Sequence, residues 1–254
     1  MHDKASPRGQ LPARPRLLRQ KGLAPLLILC DHASNVIPPE LEALGLARDH
    51  LGTHIAHDIG AAGVTRRLSA LLDAPAIMAT VSRLVIDLNR DPLSQNPFPE
   101  TSDGITIPGN RALDAEARAA RIARWFEPYH ACIEQQLAQM MARGMRPVVI
   151  GLHSFTPVMN GAARPWQIGF LYDRDARLYE RMAPPLRARG LMVGDNEPYS
   201  GRDLYYTMKR HGEAHGLLQA TIEIRQDLIA GEAGEAEWAG ILAETLNPIL
   251  QKGL

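Results

Sequence analysis

APLLILCDHASN, at residues 24–35, sets the pattern for the whole chain, because a buried strand there runs directly into a polar loop. The run Leu26–Cys30 is short, continuous and apolar, which is typical of a strand with both faces buried. Asp31 and His32 follow at once, and Ser34 and Asn35 come next. Side chains that can do chemistry therefore begin where this strand ends, at the position where ligands bind in open α/β sheets.

Similar apolar runs recur along the chain and alternate with helical patterns. The predicted strands lie in PAIMATVSRLVIDLN, RPVVIGLHSFTP, WQIGFLYD, LMVGDNEPYSG and LLQATIEIRQDLI. Between them, apolar residues at helical spacing predict helices, of which one ends near Asp73, one has Asp114 as N-cap and Gly144 as its end, and one closes the chain. This alternation predicts an α/β fold: a single domain with three layers, α/β/α, around a mostly parallel (mixed) central sheet.

Composition and charge argue against several classes of protein. Lys plus Arg and Asp plus Glu are both 28, whereas a dedicated nucleic-acid binder is usually strongly basic. No apolar run approaches the ~20 residues that a membrane span needs. The two cysteines, Cys30 and Cys132, give neither a disulfide framework nor a CxxC metal site. We therefore expect a cytoplasmic protein with no nucleic-acid or membrane partner, and its oligomeric state is left open.

The chain is predicted to divide into an N-terminal tail, residues 1–22, and one domain, residues 23–254. The first 22 residues are rich in Arg and Pro and lack the apolar region of a secretory signal. A solvated tail or a wrap along one edge of the domain is the main interpretation, and a transit peptide is the alternative.

Polar side chains stand at the ends of four of the predicted strands, one of which is the buried run Leu84–Leu88. In an open α/β sheet these ends share one crevice. Each group alone fits a plainer role, such as a loop hydrogen bond, a turn cap or a salt bridge. Together they predict a shared site, because so many polar groups are costly to bury unless they are paired or used. The groups are Asp31 and His32, then Asp87, Asn89 and Arg90, then His153 and Ser154, and finally Glu223 and Arg225.

The ordered segments LCDHASNVIP, HDIGA, SRLVIDLNRDP, GLHSFTP, GDNEPYSG and IEIRQDL resemble the N-formylglutamate amidohydrolase family, from about Leu26 to Leu228. The resemblance implies a catalytic domain that cleaves the linear amide C–N bond of a small N-acyl amino acid. N-formylglutamate, which gives glutamate and formate, is the first candidate substrate. A hydrolase of another N-acyl or γ-glutamyl substrate and a non-catalytic small-molecule-binding relative are the alternatives.

Three of these segments, IDLNR, LHSF and IEIR, are more distantly similar to the zinc carboxypeptidases, which implies a phosphorylase/hydrolase-like fold. Those enzymes take two zinc ligands from a His-x-x-Glu pair, whereas here Asn35 stands three residues after His32. Because a neutral amide is a poor zinc ligand, either another carboxylate replaces the glutamate or the metal is bound weakly or not at all. Asp58 is the candidate replacement, and a helix cap is its alternative role.

The resemblance implies one divalent metal ion, with zinc as the expected metal, held by His32, Asp58 and His153. It also implies two catalytic residues. Glu223 would be the general base, and Arg90 would polarise the scissile carbonyl and stabilise the oxyanion.

The same resemblance implies a set of substrate-binding residues. Asn89 and Arg225 would hold a substrate carboxylate, for which the fork of arginine donors is well suited. Asn196 and Tyr199 would line the pocket, unless they form only a turn. Asp87 is expected to orient Arg90 or a metal-bound histidine.

One further pair of histidines is expected to be unrelated to the site. His211 and His215 lie four residues apart on a predicted helix, but no glutamate between them completes an HExxH pattern. We therefore expect both at the surface.

Overall fold

The computed structural model describes residues 14–93, 96–111 and 113–251. Its strands are β1 (Arg16–Leu18), β2 (Leu26–Cys30), β3 (Ala76–Met78), β4 (Thr101–Ser102), β5 (Ile105–Thr106), β6 (Val148–Phe155), β7 (Val158–Met159), β8 (Ala162–Ala163), β9 (Ile168–Leu171), β10 (Val193–Asp195) and β11 (Gln219–Arg225). Seven of them form one sheet in the order β1-β3-β2-β6-β11-β9-β10. The sheet is mixed, because β1 and β9 run antiparallel to β3 and β11, while the other neighbours are parallel.

Helices cover both faces of this sheet. They are α1 (Arg48–Leu51), α2 (Ala61–Leu72), α3 (Ala115–Arg121), α4 (Glu127–Ala142), α5 (Arg177–Ala188), α6 (Tyr206–His211) and α7 (Glu232–Gln251). A π-helical turn, Ile122–Phe126, joins α3 to α4, so the long helix predicted after Asp114 is continuous. Asp114 caps it as predicted, because its carboxylate accepts the N–H of Ala117 at 2.7 Å.

Successive side chains of the central strands point to opposite faces of the sheet, so they form two separate apolar cores. In β2, Leu26 and Ile28 pack on one side of the sheet with α2, α5 and α7, whereas Leu27 and Leu29 pack on the other side with α4. Because both faces are buried, the strand is apolar at every position. The predicted three-layer α/β fold with a mixed sheet is therefore confirmed.

The segment Leu84–Leu88 is buried as predicted, but the prediction that it forms a strand is wrong. Its backbone groups bond to turns and loops instead of to a neighbouring strand. The Ser82 hydroxyl accepts the N–H of Leu84 at 3.1 Å and donates to the carbonyl of Ala56 at 2.7 Å. The N–H of Asp87 donates to the carbonyl of Pro97 at 2.7 Å. A short apolar run does not by itself distinguish these two kinds of buried backbone.

Part of the segment expected as an N-terminal tail belongs to the sheet. Arg16–Leu18 pairs antiparallel with β3 and forms one edge of the sheet. Residues 1–13 lie outside the described residues, and the boundary between residues 22 and 23 stays a prediction. Within the described ranges, no helix combines the length and the apolar character that crossing a bilayer requires.

Candidate active site

Three strands deliver the predicted site residues to one edge of the sheet. β2 lies beside β6, and β6 lies beside β11, all parallel, so their carboxyl ends coincide. His32 follows the end of β2, while His153 and Glu223 are direct partners in the register of β6 and β11. The strand ends therefore converge as the sequence predicted, although the segment that carries Asp87 reaches them as an irregular loop.

His32, Asp58 and His153 form a buried cluster whose ligand atoms all lie within 4.8 Å of one another. Oδ2 of Asp58 is 2.8 Å from Nδ1 of His153 and 3.3 Å from Nδ1 of His32. Burial alone would raise the pKa of Asp58, but the two imidazoles outweigh this effect and hold that pKa well below its usual range. Two imidazole nitrogens and a carboxylate oxygen are a donor set that catalytic zinc uses, with a fourth position left for water or substrate. The cluster thus fits a divalent ion.

The turn before α2 brings Asp58 into this cluster. α2 begins at Ala61, and its N-cap residue, Gly60, has a φ of 78°. A Cβ at Gly60 would lie 2.0 Å from the carbonyl of Ile229, so only glycine allows this close approach. The N-cap of α2 is Gly60 and not Asp58, whose backbone carbonyl accepts the N–H of Ala61 at 3.2 Å. The carboxylate of Asp58 instead accepts the N–H of Ser154 at 3.3 Å, so the alternative role as a helix cap is wrong.

Each imidazole of the cluster turns its other nitrogen toward a second aspartate. Nε2 of His32 is 2.8 Å from Oδ1 of Asp87, and Nε2 of His153 is 3.4 Å from Oδ2 of Asp31. The Tyr129 hydroxyl donates to Oδ1 of Asp31 at 2.5 Å. Carboxylates in this position orient the ring of a metal-binding histidine and raise its basicity.

Asn35 takes no part in the cluster. It is exposed, and its Nδ2 donates to the carbonyl of Leu51 at 2.9 Å. The departure from the carboxypeptidase pattern at this position therefore leaves the donor set intact, because Asp58 supplies the carboxylate from another part of the chain.

Glu223 is the carboxylate that faces the cluster without belonging to it. The residue is 6% exposed and lines the cavity above the cluster, and its Oε2 has no hydrogen-bond partner in the described part of the chain. Burial, reinforced by the charge of Asp58, raises its pKa to about 7. A carboxylate with an unpaired oxygen and a pKa near neutrality is suited to accept and return a proton.

The cavity has a volume of about 500 Å³. Its floor consists of the strand ends, and its walls come from residues 83–90, from residues 96–103 and from the loop that carries Tyr199. Besides the residues named above, the lining includes His54, Ile55, Leu84, Pro99, Met159, Leu171, Leu204 and Thr221. Residues from several separate stretches thus enclose a space sufficient for a small molecule.

Arg83 belongs to the site, although no pattern in the sequence predicts it. Its Nη1 donates to Oδ1 of Asp58 at 3.3 Å and its Nη2 donates to Oδ2 of Asp87 at 2.8 Å. Burial would lower its pKa, but the two carboxylates raise it, so the guanidinium stays charged. The only sequence signal was a basic residue just before the apolar run in SRLVIDLNR.

Arg90 and Asn89 line the same cavity further from the cluster. Nε of Arg90 lies 3.9 Å from Oδ2 of Asp87, and no hydrogen bond of its guanidinium is found within the described residues. Oδ1 of Asn89 accepts the N–H of Thr207 at 2.9 Å, at the start of α6. Both side chains keep donors available to a ligand.

Of the other expected substrate-binding residues, the structure brings Tyr199 to the cavity but not Asn196 or Arg225. Oδ1 of Asn196 accepts the N–H groups of Tyr172 and Gly201 at 3.1 and 3.0 Å, so its side chain holds a turn. Arg225 is held by both oxygens of Asp227 at 2.8 and 3.2 Å. Arg225 thus forms a salt bridge with Asp227 and not with Glu223, so the alternative of a Glu223–Arg225 pair on β11 is wrong.

The expectation that both histidines lie at the surface is wrong for His211. This residue ends α6 and is fully buried against α4, whereas His215 is exposed. Nε2 of His211 lies 2.7 Å from Nδ1 of His130, and Nε2 of His130 donates to the carbonyl of Leu88 at 3.0 Å. Since a carbonyl only accepts, neutral His130 carries its proton on Nε2 and accepts from His211. The missing HExxH pattern argued against a metal site and gave no information on burial.

We expect this buried pair to make folding stability depend on pH. Burial lowers the pKa of His130 to about 3, whereas in the unfolded chain it returns to 6.5. Between pH 3 and pH 6.5 this histidine is protonated in the unfolded state but not in the folded state. The stability that neutral His130 contributes is therefore fully present above about pH 6.5 and is lost as the pH falls toward 3. Urea unfolding at about pH 7.5 and about pH 5 should show a smaller change in the free energy of unfolding for His130→Gln than for the wild type. His215→Gln is the exposed control, and equal pH dependence in His130→Gln and the wild type would contradict the prediction.

The model of the N-formylglutamate amidohydrolase family matches residues 24–230. A gene product of Agrobacterium tumefaciens, solved as a crystal structure, is 38% identical, with a TM-score of 0.91 over 94% of this chain and 95% of that chain. An N-formylglutamate amidohydrolase from Ralstonia eutropha is 21% identical, with a TM-score of 0.68 over 95% of this chain and 98% of that chain, and so shares the fold. No curated protein matches the chain.

The family match covers the strand ends, the turn before α2 and the cavity walls, so it includes every residue of the buried cluster. The predicted family is therefore confirmed, and with it the reaction class, hydrolysis of a C–N amide bond. This chain belongs to the N-formylglutamate amidohydrolase family.

Proposed function

We propose that the chain is a metal-dependent hydrolase of small N-acyl amino acids, with N-formylglutamate as the first substrate to test. His32, Asp58 and His153 would hold one divalent ion, for which zinc is the expected metal. The observation that carries the proposal is the position of Glu223, whose buried, unpaired carboxylate oxygen shares the cavity with this donor set and stands in register with His153.

The chain's own residues supply the proton transfers. A divalent ion held by the cluster would lower the pKa of a water from 15.7 toward ~7 and polarise an amide carbonyl. Glu223 takes a proton from the attacking water at its unpaired Oε2 and delivers it to the leaving nitrogen, so the amine departs as a neutral group. Its pKa of about 7 makes both the accepting and the donating form accessible near neutral pH.

Arg83 and Arg90 have different surroundings, and we assign them different roles. Arg83 is held beside the cluster by Asp58 and Asp87, so it is the arginine placed to stabilise the oxyanion. Arg90, expected from the resemblance in that role, makes only a long ion pair, 3.9 Å from Asp87, and lines the cavity next to Asn89. Arg90 and Asn89 would bind the α-carboxylate of the substrate.

Loss of Arg83 should mainly affect the chemical step. We expect Arg83→Gln to lower kcat about 10²-fold, because removal of one oxyanion donor has an effect of that size. KM should change little, since the carboxylate-binding pair is left in place. Steady-state kinetics on N-formylglutamate check this, with exposed Arg66→Gln as control. A rise in KM with kcat unchanged would show that Arg83 binds substrate instead.

Formate release from N-formylglutamate tests the proposed function as a whole. We expect activity to disappear after treatment with excess chelator and to return when zinc is added. The rates of hydrolysis of a panel of other N-acyl and γ-glutamyl substrates then show which acyl group is preferred. Formate release that is unaffected by chelator, in protein shown to be metal-free, would refute the metal role. Ligand binding without turnover of any substrate in the panel would identify a non-catalytic relative.

A further inference from the structure

Positive charge at the cavity is limited, and its distribution bears on which substrates fit. Arg83 is engaged by two carboxylates of the site. Arg90 makes only a long ion pair, 3.9 Å from Asp87, so its guanidinium can still bind one substrate carboxylate. An N-acyl amino acid with a charged side chain carries two carboxylates and therefore needs a second cation.

Arg164 lies directly behind the cavity wall. It follows β8, and its N–H donates to the carbonyl of Pro157 at 2.8 Å, which closes the base of the β7–β8 hairpin. Its guanidinium lies 4.8 Å from the centroid of the Tyr199 ring, and its Nη1 donates to the Tyr199 hydroxyl at 3.0 Å. Nη2 donates to the sulfur of Met159. Because Tyr199 and Met159 both line the cavity, the charge is one side chain away from a ligand.

The partners of Arg164 are all neutral. Besides Tyr199 and Met159, its guanidinium contacts the carbonyl and the hydroxyl of Thr156 at 3.5 and 3.3 Å. Within the described part of the chain it forms no ion pair. Arg225, whose Nη1 approaches the carbonyl of Arg164, is by contrast held by both oxygens of Asp227. A half-buried guanidinium with no carboxylate partner is a ready site for an anion.

We infer that the Tyr199 hydroxyl, held by Arg164 and supported by its charge, binds a carboxylate on the substrate's side chain. This inference rests on the proposed function and adds the residues that recognise the side chain of its first candidate substrate. Tyr199 accepts from Arg164, so its own proton is free to be donated to the same carboxylate. Arg90 and Asn89 bind the α-carboxylate. The distance between this pair and Tyr199 then selects substrates by the separation of their two carboxylates.

Two substrates that differ only in side-chain charge test the inference. N-formylglutamate and N-formylglutamine are compared in the zinc-loaded wild type and in Arg164→Gln. We expect Arg164→Gln to lower kcat/KM for N-formylglutamate roughly 10- to 100-fold, through KM, because the charge that supports the Tyr199 hydroxyl is lost. The value for N-formylglutamine should change less than about 3-fold, since an uncharged side chain makes no use of the guanidinium. Arg225→Gln is the matched control and should leave the preference unchanged.

The outcomes separate this inference from the proposed function. Equal losses for both substrates would reduce Arg164 to a structural role and overturn the inference, as would no loss for either. If the wild type hydrolyses neither substrate, the proposed function fails, and the inference is tested by ligand binding alone. Titration calorimetry with glutarate, a dicarboxylate, should then give weaker binding to Arg164→Gln than to the wild type, and equal affinity would overturn it.

Discussion

Glu223→Gln is expected to lower kcat by roughly 10²- to 10⁴-fold, the range that general acid–base catalysis contributes. The amide has nearly the same shape as the carboxylate but accepts no proton from water. Glu223 is outside the cluster formed by His32, Asp58 and His153, so zinc affinity should change much less than kcat. Formate release by zinc-loaded protein and zinc titration of the apoprotein measure the two quantities separately.

Glu235→Gln is the control for this variant, because Glu235 pairs with Arg67 and does not line the cavity. It should leave kcat unchanged. A Glu223→Gln protein that keeps wild-type kcat would exclude Glu223 as the proton carrier. If kcat and zinc affinity fell together, the residue would act by holding the metal.

Asp58→Asn should abolish high-affinity zinc binding together with activity. Substitution of a residue that only supports a metal ligand costs 10- to 100-fold in metal affinity, and we expect a larger loss for the single carboxylate of the donor set. Asp58 also accepts from Arg83 and from the N–H of Ser154, so circular dichroism is needed to show that the variant folds.

Asn35→Asp is the matched control for Asp58→Asn. In zinc carboxypeptidases a carboxylate three residues after the first histidine binds the metal, but here Asn35 is exposed and bonded to Leu51. A new carboxylate there should alter neither zinc affinity nor kcat. Tighter zinc binding by Asn35→Asp, or undiminished binding by Asp58→Asn, would show that the carboxylate ligand has been assigned wrongly.

The fold was predictable because strands buried on both faces leave continuous apolar runs, and the helices between them leave an amphipathic spacing. The same logic placed His32, His153 and Glu223 together, since the carboxyl ends of parallel neighbours share one edge of the sheet. Asp58 could only be a candidate. It reaches the cluster through a turn that depends on the close approach of Gly60 to another loop, and no local pattern encodes that contact.

Other parts of the site were not predictable from the sequence, because they depend on which residue forms an ion pair or hydrogen bond with each polar side chain. Arg83 precedes a run whose pattern predicts a strand, and only the folded loop turns it toward Asp58 and Asp87. Arg225 was placed at a strand end correctly, but Asp227, two residues later, occupies its guanidinium. Burial of a polar residue such as His211 likewise depends on a tertiary partner.

Anomalous diffraction from zinc-loaded crystals tests the central assignment most directly. The assignment predicts a single strong peak in the cavity, about 2.0–2.2 Å from a nitrogen of His32, a nitrogen of His153 and a carboxylate oxygen of Asp58. Glu223 should lie beside this peak without coordinating it. A peak bound by other residues, or one that leaves Asp58 uncoordinated, would contradict the assignment.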